Sequence, residues 1–218
     1  MHENNTFLYE KPDRSFFLRE DVTQVAKDLL GMLLVSGKNG VVTAGKILET
    51  EAYCGRGDKA CHANGKRTPR TEVMYREGGV AYIYLCYGIH HLINIVTNVE
   101  GQADAVLIRA LEPVEGIEVM RERRNFTKAK LASGPGTLTQ AMDIKVSQTG
   151  TDLLGDEIWI AKSYEKDFEI SEGTRIGVDY AGEDAFRPWR FIIKGNKLVS
   201  RPVRSDKRKS PVTTSEFH

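Results

Sequence analysis

The chain has 218 residues, 40% of them hydrophobic, and its 31 Lys and Arg against 30 Asp and Glu leave a formal charge of +1. That suffices for one large core or two small ones, and we expect a single globular domain. No uninterrupted apolar run approaches the roughly 18 residues of a membrane helix, and the opening Met1-His2-Glu3-Asn4-Asn5 has no basic stretch leading into a hydrophobic one. The three cysteines, Cys54, Cys61 and Cys86, are an odd number without a disulfide framework, so reduced thiols and a soluble cytoplasmic protein are expected.

Residues 1–20 read as a polar extension on or near the core. Asp21 can cap a helix within 21–30, with Gln24 at the capping-box position and Val22, Val25, Ala26, Leu29 and Leu30 as its apolar stripe; Gly31 ends it. Residues 32–36 and 41–48 read as strands around Lys38-Asn39-Gly40, whose Asn-Gly step favours a tight hairpin turn. Glu49 and Glu51 then fall at a strand end, on one face if the strand continues and apart if it bends. Residues 54–79, punctuated by Gly55, Gly57, Gly65, Pro69 and Gly78-Gly79, read as loop or short helix of a length that argues for a functional surface. Residues 80–87 give a strong strand signal, with Tyr82 and Tyr84 on one face and Leu85 and Tyr87 on the other under ideal alternation. Gly88 permits a bend, the strand resumes over 92–97, and further strands are predicted at 105–109, 157–161, 174–178 and 190–194, with helices at 112–123 and 135–142. Hairpin links outnumber crossover helices, so the predicted class is α+β, a single domain with a mixed, mainly antiparallel curved sheet and flanking helices.

Three basic runs lie beneath the near-neutral total. Residues 190–210 hold eight Lys or Arg with Asp206 as the one acid; Arg56, Lys59, Lys66, Arg67, Arg70 and Arg76 face Asp58 and Glu72; Arg121, Arg123, Arg124, Lys128 and Lys130 enclose Glu122. Each is either ordinary solvated surface or a phosphate contact, according to whether folding gathers it about a cleft. Residues 201–218 read as a basic, flexible tail.

The segment I-L-E-T-E-A-Y, residues 47–53, sets two carboxylates beside a tyrosine, and His62 follows eleven residues after Glu51. A carboxylate, an imidazole and aromatic rings suit a pocket that orders water against a planar substrate; solvated acids on a strand edge are the plainer alternative. Neither the phosphate-loop pattern nor the dinucleotide fingerprint stands in a convincing strand-to-helix setting, and Gly134-Pro135-Gly136 reads as a helix approach or turn. Cys54, Cys61 and His62 lack a fourth ligand and the usual paired spacing for zinc, and the deaminase signature is missing, so neither metal nor cofactor is expected.

Taken together, I-L-E-T-E-A-Y, A-C-H, R-T-P-R, A-Y-I-Y-L-C-Y-G and L-I-R-A-L-E-P, in this order between about Val22 and Ile193, closely resemble the alkyladenine or methylpurine DNA glycosylase family, in its bacterial type. The resemblance implies a glycosylase domain over 21–200, acting as a monomer on damaged double-stranded DNA near the nucleoid. It implies monofunctional hydrolysis of the base–sugar bond that leaves an abasic site, with three-methyladenine, seven-methylguanine, hypoxanthine and ethenoadenine as candidate bases. A noncatalytic binder of distorted nucleic acid and a hydrolase of free nucleosides are the alternatives.

Residue by residue, the resemblance makes Glu51 the general base, with Arg109 orienting it and a backbone carbonyl at Ile176 helping to hold the water. Tyr53, His62 and Tyr84 would form the pocket for a flipped purine, with His62 also close to the catalytic water, and Asn94 would disfavour guanine through its exocyclic amine. Tyr87 would insert between bases from a protruding hairpin, and Ile89-His90 stands where Met-Tyr can follow the glycine in the family. Thr68, Arg70 and Arg175 are candidate contacts to the DNA backbone. On residue chemistry alone, Asn94 could equally satisfy a strand hydrogen bond, Tyr87 could be a buried sheet tyrosine, and Arg109 could form a generic strand-end salt bridge.

Overall fold

The computed structural model describes residues 10–38, 40–125, 130–163 and 167–203. Its first helix, α1 (Val22–Asp28), starts where Asp21 accepts the Thr23 and Gln24 amides at 2.9 and 3.2 Å, and it buries Val22, Val25 and Ala26. Gln24 does not complete the expected box; its side-chain amide donates to Asp28 at 2.9 Å, one turn on. Strands β1 (Leu33–Lys38) and β2 (Val41–Tyr53) pair antiparallel with Lys38 opposite Val41. Gly40 takes φ 77° between them, while Asn39, the other half of the expected turn, lies outside the described residues. The chain continues through β3 (Ala81–Cys86), β4 (His90–Thr97), β5 (Asp104–Glu115), α2 (Ile117–Arg124), α3 (Pro135–Ala141), β6 (Ile158–Ala161), β7 (Ile170–Gly173) and β8 (Arg190–Ile193).

These strands form one curved antiparallel sheet in the order β3-β4-β5-β2-β1-β6, with β8 added to β2 and β7 to β8. The fold is α+β, with helices flanking the sheet. Strand β2 does not end at residue 48, because both of its edges remain paired to Glu51. One edge carries β5; the other carries β1 as far as Lys46 and then β8 over Glu49–Glu51. Register shifts against β5 on either side of Glu49 mark the change of partner. Glu49 and Glu51 therefore stand inside the sheet, not at a strand end.

Two further expectations are corrected. The helix read at 112–123 begins only at Ile117, because β5 runs on to Glu115 and Gly116 then turns the chain at φ 69°. The strand read at 174–178 lies earlier, as β7. Residues 174–178 stay irregular because their polar groups are drawn inward: the Arg175 side chain donates to the Ala52 carbonyl at 2.9 Å and the Ile176 amide donates to Glu51 at 2.8 Å.

Alternation along the strands divides the sheet into two apolar faces. Ile83, Ile93, Ile95, Val106 and Ile108 pack with Phe17, Leu29, Leu48 and Leu138 on the helical side. Val80, Tyr82, Val96 and Ala105 pack beneath the 54–79 loop with Cys61, Ala63, Val73 and Met74. The long loop is thus the roof of a second, smaller core, and the candidate site opens from that core.

Candidate active site

Register aligns the site. Tyr82 lies opposite Asn94, Asn94 opposite Leu107, and Leu107 opposite Glu51, so one row crosses β3, β4, β5 and β2 on a single face. Tyr84, Arg109 and Tyr53, each two residues along, flank that row. The face borders a cavity of about 480 Å³, within the usual range of roughly 300–1,000 Å³ for small-molecule sites. His62 from the loop, with Ile176 and Tyr180 from the stretch after β7, completes its wall.

Glu51 is fully buried behind the cavity wall and is not itself one of the lining residues. Its Oε2 accepts the Tyr53 hydroxyl at 2.8 Å and Arg109 Nη1 at 3.2 Å, and its Oε1 accepts the Ile176 amide at 2.8 Å. All three donors belong to cavity-lining residues. A carboxylate has about four acceptor sites, so these three donors leave one unfilled. Burial opposes the charge on Arg109, but Glu51 and Glu49 outweigh it and carry its pKa upward. Burial, and then the Glu51 charge, hold the Tyr53 phenol well above its ordinary range, so it stays a donor. The contribution of Ile176 seen here is its N–H, directed at the Glu51 carboxylate, and not its carbonyl.

His62 takes part in a cluster of rings. Its Nδ1 lies 2.9 Å from the Tyr82 hydroxyl, its ring meets Tyr84 edge-on at 4.6 Å between centroids, and Tyr82 and Tyr84 stack at 5.6 Å. Burial, reinforced by the charge of Arg70, lowers the His62 pKa to about 4, so the imidazole is neutral around pH 7. Burial also raises the Tyr82 hydroxyl to about 12 and pushes Tyr84 up. A neutral imidazole has one N–H and one lone pair, so the Tyr82 bond determines which of them Nε2 offers to the cavity. Sequence reasoning missed Tyr82 as a site residue, although its shared face with Tyr84 was the available signal. Asn94 lines the cavity while its Nδ2 donates to the Tyr82 carbonyl at 3.1 Å, so it serves as wall and strand tie together.

The β3–β4 hairpin carries its apolar residues outward. Tyr87 is 90% exposed, Ile89 70% and Leu85 46%. Tyr87 and Gly88 both have positive φ, 52° and 73°, and the Ile89 amide returns to the Cys86 carbonyl at 3.2 Å, as in a tight turn of the primed class. Tyr87 is therefore no sheet-buried tyrosine, and it also borders the cavity mouth. His90, the first residue of β4 after the turn, is exposed against α3, where a Cβ on Gly136 would come within 2.9 Å of its ring.

Thr68 and Arg70 are exposed and share a groove with Lys59, Lys66 and His62, beside the cavity. Arg175 is not on that surface. It is buried in a two-pronged pair with Asp58, at 2.5 and 2.8 Å, and its guanidinium covers the Tyr53 ring at 4.8 Å, so it braces the pocket and cannot reach a phosphate. Arg190, counted in the C-terminal basic run, is likewise buried and donates to Glu49 at 3.2 Å. Lys128 and the run beyond residue 203 lie outside the described residues. Cys61 lines the cavity as a thiol raised to about 12, chiefly by burial.

The sequence pattern of the family described as Methylpurine-DNA glycosylase (MPG) matches residues 15–197. A protein of Clostridium acetobutylicum is 49% identical over 197 residues, covering 86% of this chain and 96% of its own. One of Natranaerobius thermophilus is 45% identical over 196 residues, covering 87% and 98%, and one of Bacillus licheniformis is 47% identical over 187 residues, covering 85% and 94%. All three are provisionally named 3-methyladenine DNA glycosylases. A match that spans the loop, the sheet and every cavity-facing strand leaves one conclusion: the chain belongs to the methylpurine-DNA glycosylase family, in its bacterial type.

Proposed function

We propose that the protein is a monofunctional DNA glycosylase that everts a damaged purine into the cavity, hydrolyses its bond to deoxyribose and leaves an abasic site. The observation that carries this reading is Glu51 itself, a buried carboxylate whose three donors, Tyr53, Arg109 and Ile176, all line a cavity walled by Tyr53, His62 and Tyr84, directly beneath that wall and with one acceptor site unfilled. Water on that remaining site would be aligned and deprotonated as it attacks the sugar carbon. The negative charge would also stabilise the oxocarbenium character of the transition state. The aromatic walls supply stacking surface for a flipped base, and Asn94 reads its edge. Tyr87 fills the space the base vacates and offsets an unstacking cost of a few kcal/mol.

None of the described residues lining the cavity is a lysine, which favours attack by water over an amine that would go on to cut the strand. Cationic three-methyladenine and seven-methylguanine leave readily, whereas neutral hypoxanthine and ethenoadenine depend more on the pocket. The test is incubation with defined lesion duplexes while free base and abasic DNA are detected together. Both products should appear in equal amounts, and strands should stay intact until alkali or heat is applied. Binding without base release would make the protein a sensor of distorted DNA, and faster release from free nucleosides than from duplex would reassign it to nucleoside hydrolysis.

A further inference from the structure

Glu49, two residues before the base, is just as buried but differently occupied. Its Oε1 accepts Arg109 Nε at 3.1 Å, Arg190 Nη1 at 3.2 Å and Ser200 Oγ at 2.8 Å, and its Oε2 accepts the Ser200 amide at 2.6 Å. Four donors, three on Oε1 and one on Oε2, equal a carboxylate's usual total, so Glu49 is committed to its protein partners where Glu51 carries only three. Arg109 is shared between the acids, Nε on Glu49 and Nη1 on Glu51. Because a guanidinium is a rigid plane, fixing Nε fixes where Nη1 points. Released from Glu49, Arg109 could turn its fork onto Glu51 and form the two-pronged contact that arginine favours with carboxylates, taking the acceptor site that the water requires.

Ser200 adds a second connection. Its segment is held on Glu49 and by Arg190, which donates to the Arg201 carbonyl at 2.9 Å, and Arg201 lines the cavity. We propose that Glu49 is a positioning residue for hydrolysis, holding Arg109 to a one-pronged contact with Glu51 and docking the Ser200–Arg201 arm at the cavity. The inference rests on the function proposed above and concerns a residue that need not touch DNA.

Single-turnover excision of hypoxanthine and affinity for an abasic duplex are measured for wild type, Glu49→Gln, Ser200→Ala and Ser200→Thr. Glu49→Gln should lower the rate constant about tenfold or more at full reaction amplitude and leave abasic binding within about twofold. Ser200→Ala should lose about threefold in rate and Ser200→Thr, which keeps both donors, should restore it. A Glu49 that merely supports the fold would reduce amplitude and thermal stability while the surviving fraction turned over at the wild-type rate, and that result overturns the proposal. If Glu49→Gln does not fold, the Ser200 pair decides, since a Ser200→Ala rate equal to wild type overturns it too. Wild-type protein that releases no base from any lesion would reject the glycosylase reading itself, and this inference with it.

Discussion

The proposed reaction asks Glu51 to be held firmly and still to keep an acceptor site for water. Tyr53, Arg109 and Ile176 fix its orientation, and each donor added would cost reactivity. We expect Glu51→Gln to lower single-turnover excision by about 10²–10⁴, the usual worth of a placed acid or base, while abasic-duplex binding persists. Excision near the wild-type rate would remove Glu51 from the chemistry. His62 makes a prediction about stability. Its folded pKa of about 4 lies below the ordinary imidazole value of about 6.5, so the unfolded chain takes up a proton that the folded chain refuses as pH falls between those values. The stability of wild type should therefore decline across that window more than that of His62→Gln, which has no imidazole to titrate. Parallel urea-unfolding stabilities for the two proteins at pH 7 and pH 4.5 would contradict the buried, neutral imidazole. The sequence made Glu51, Tyr53 and Arg109 legible because they sit in uncommon local motifs. Asp58, Arg190 and Ser200 were not legible as site supports, because each acts on a partner more than 100 residues away and no local pattern records such a pair.

Elements place these residues, and the β3–β4 hairpin shows how much a turn decides. Ideal alternation puts Tyr87 opposite Tyr84, but the left-handed φ of Tyr87 takes it out of the strand and into solvent at the tip. Tyr87→Ala should weaken binding to an abasic duplex by about 1–3 kcal/mol, the range for loss of one stacking contact, with little change in melting temperature because the residue is 90% exposed in the free protein. Unchanged affinity would reject insertion. The 54–79 loop is the converse case, irregular in conformation yet tied down by the buried Asp58–Arg175 pair. Asp58→Asn should leave Arg175 buried without a counter-charge and cost about 3–5 kcal/mol of unfolding free energy in urea, whereas loss of a surface pair would cost under about 1 kcal/mol. The strands of this fold were readable from periodicity, β3 and β4 above all. The helix start at 117 and the location of β7 were not, because Gly116 and the inward pull on Arg175 and Ile176 are set by tertiary contacts that outweigh local preference.

For the molecule as a whole, a net charge of +1 provides almost no long-range pull toward a polyanion, so affinity for DNA must come from where the cations are placed. Many of them are already spent on internal partners: Arg175 and Arg190 are buried, Arg56 is paired with Asp104 at 3.0 Å and Arg67 with Glu72 at 2.6 Å. Lys59, Lys66 and Arg70 instead share the groove beside the cavity, where a backbone flanking an everted nucleotide would run. Each phosphate neutralised there should contribute about 0.9 to the slope of log affinity against log salt. Replacing all three by glutamine should flatten that slope by about 2.7 and weaken binding at low salt, while the excision rate at saturating enzyme changes little, because phosphate contacts position the duplex and the chemistry lies on the sheet. A slope equal to wild type would mean that DNA follows another face of the molecule, and a loss of saturated rate would mean that the groove also aligns the nucleotide for attack.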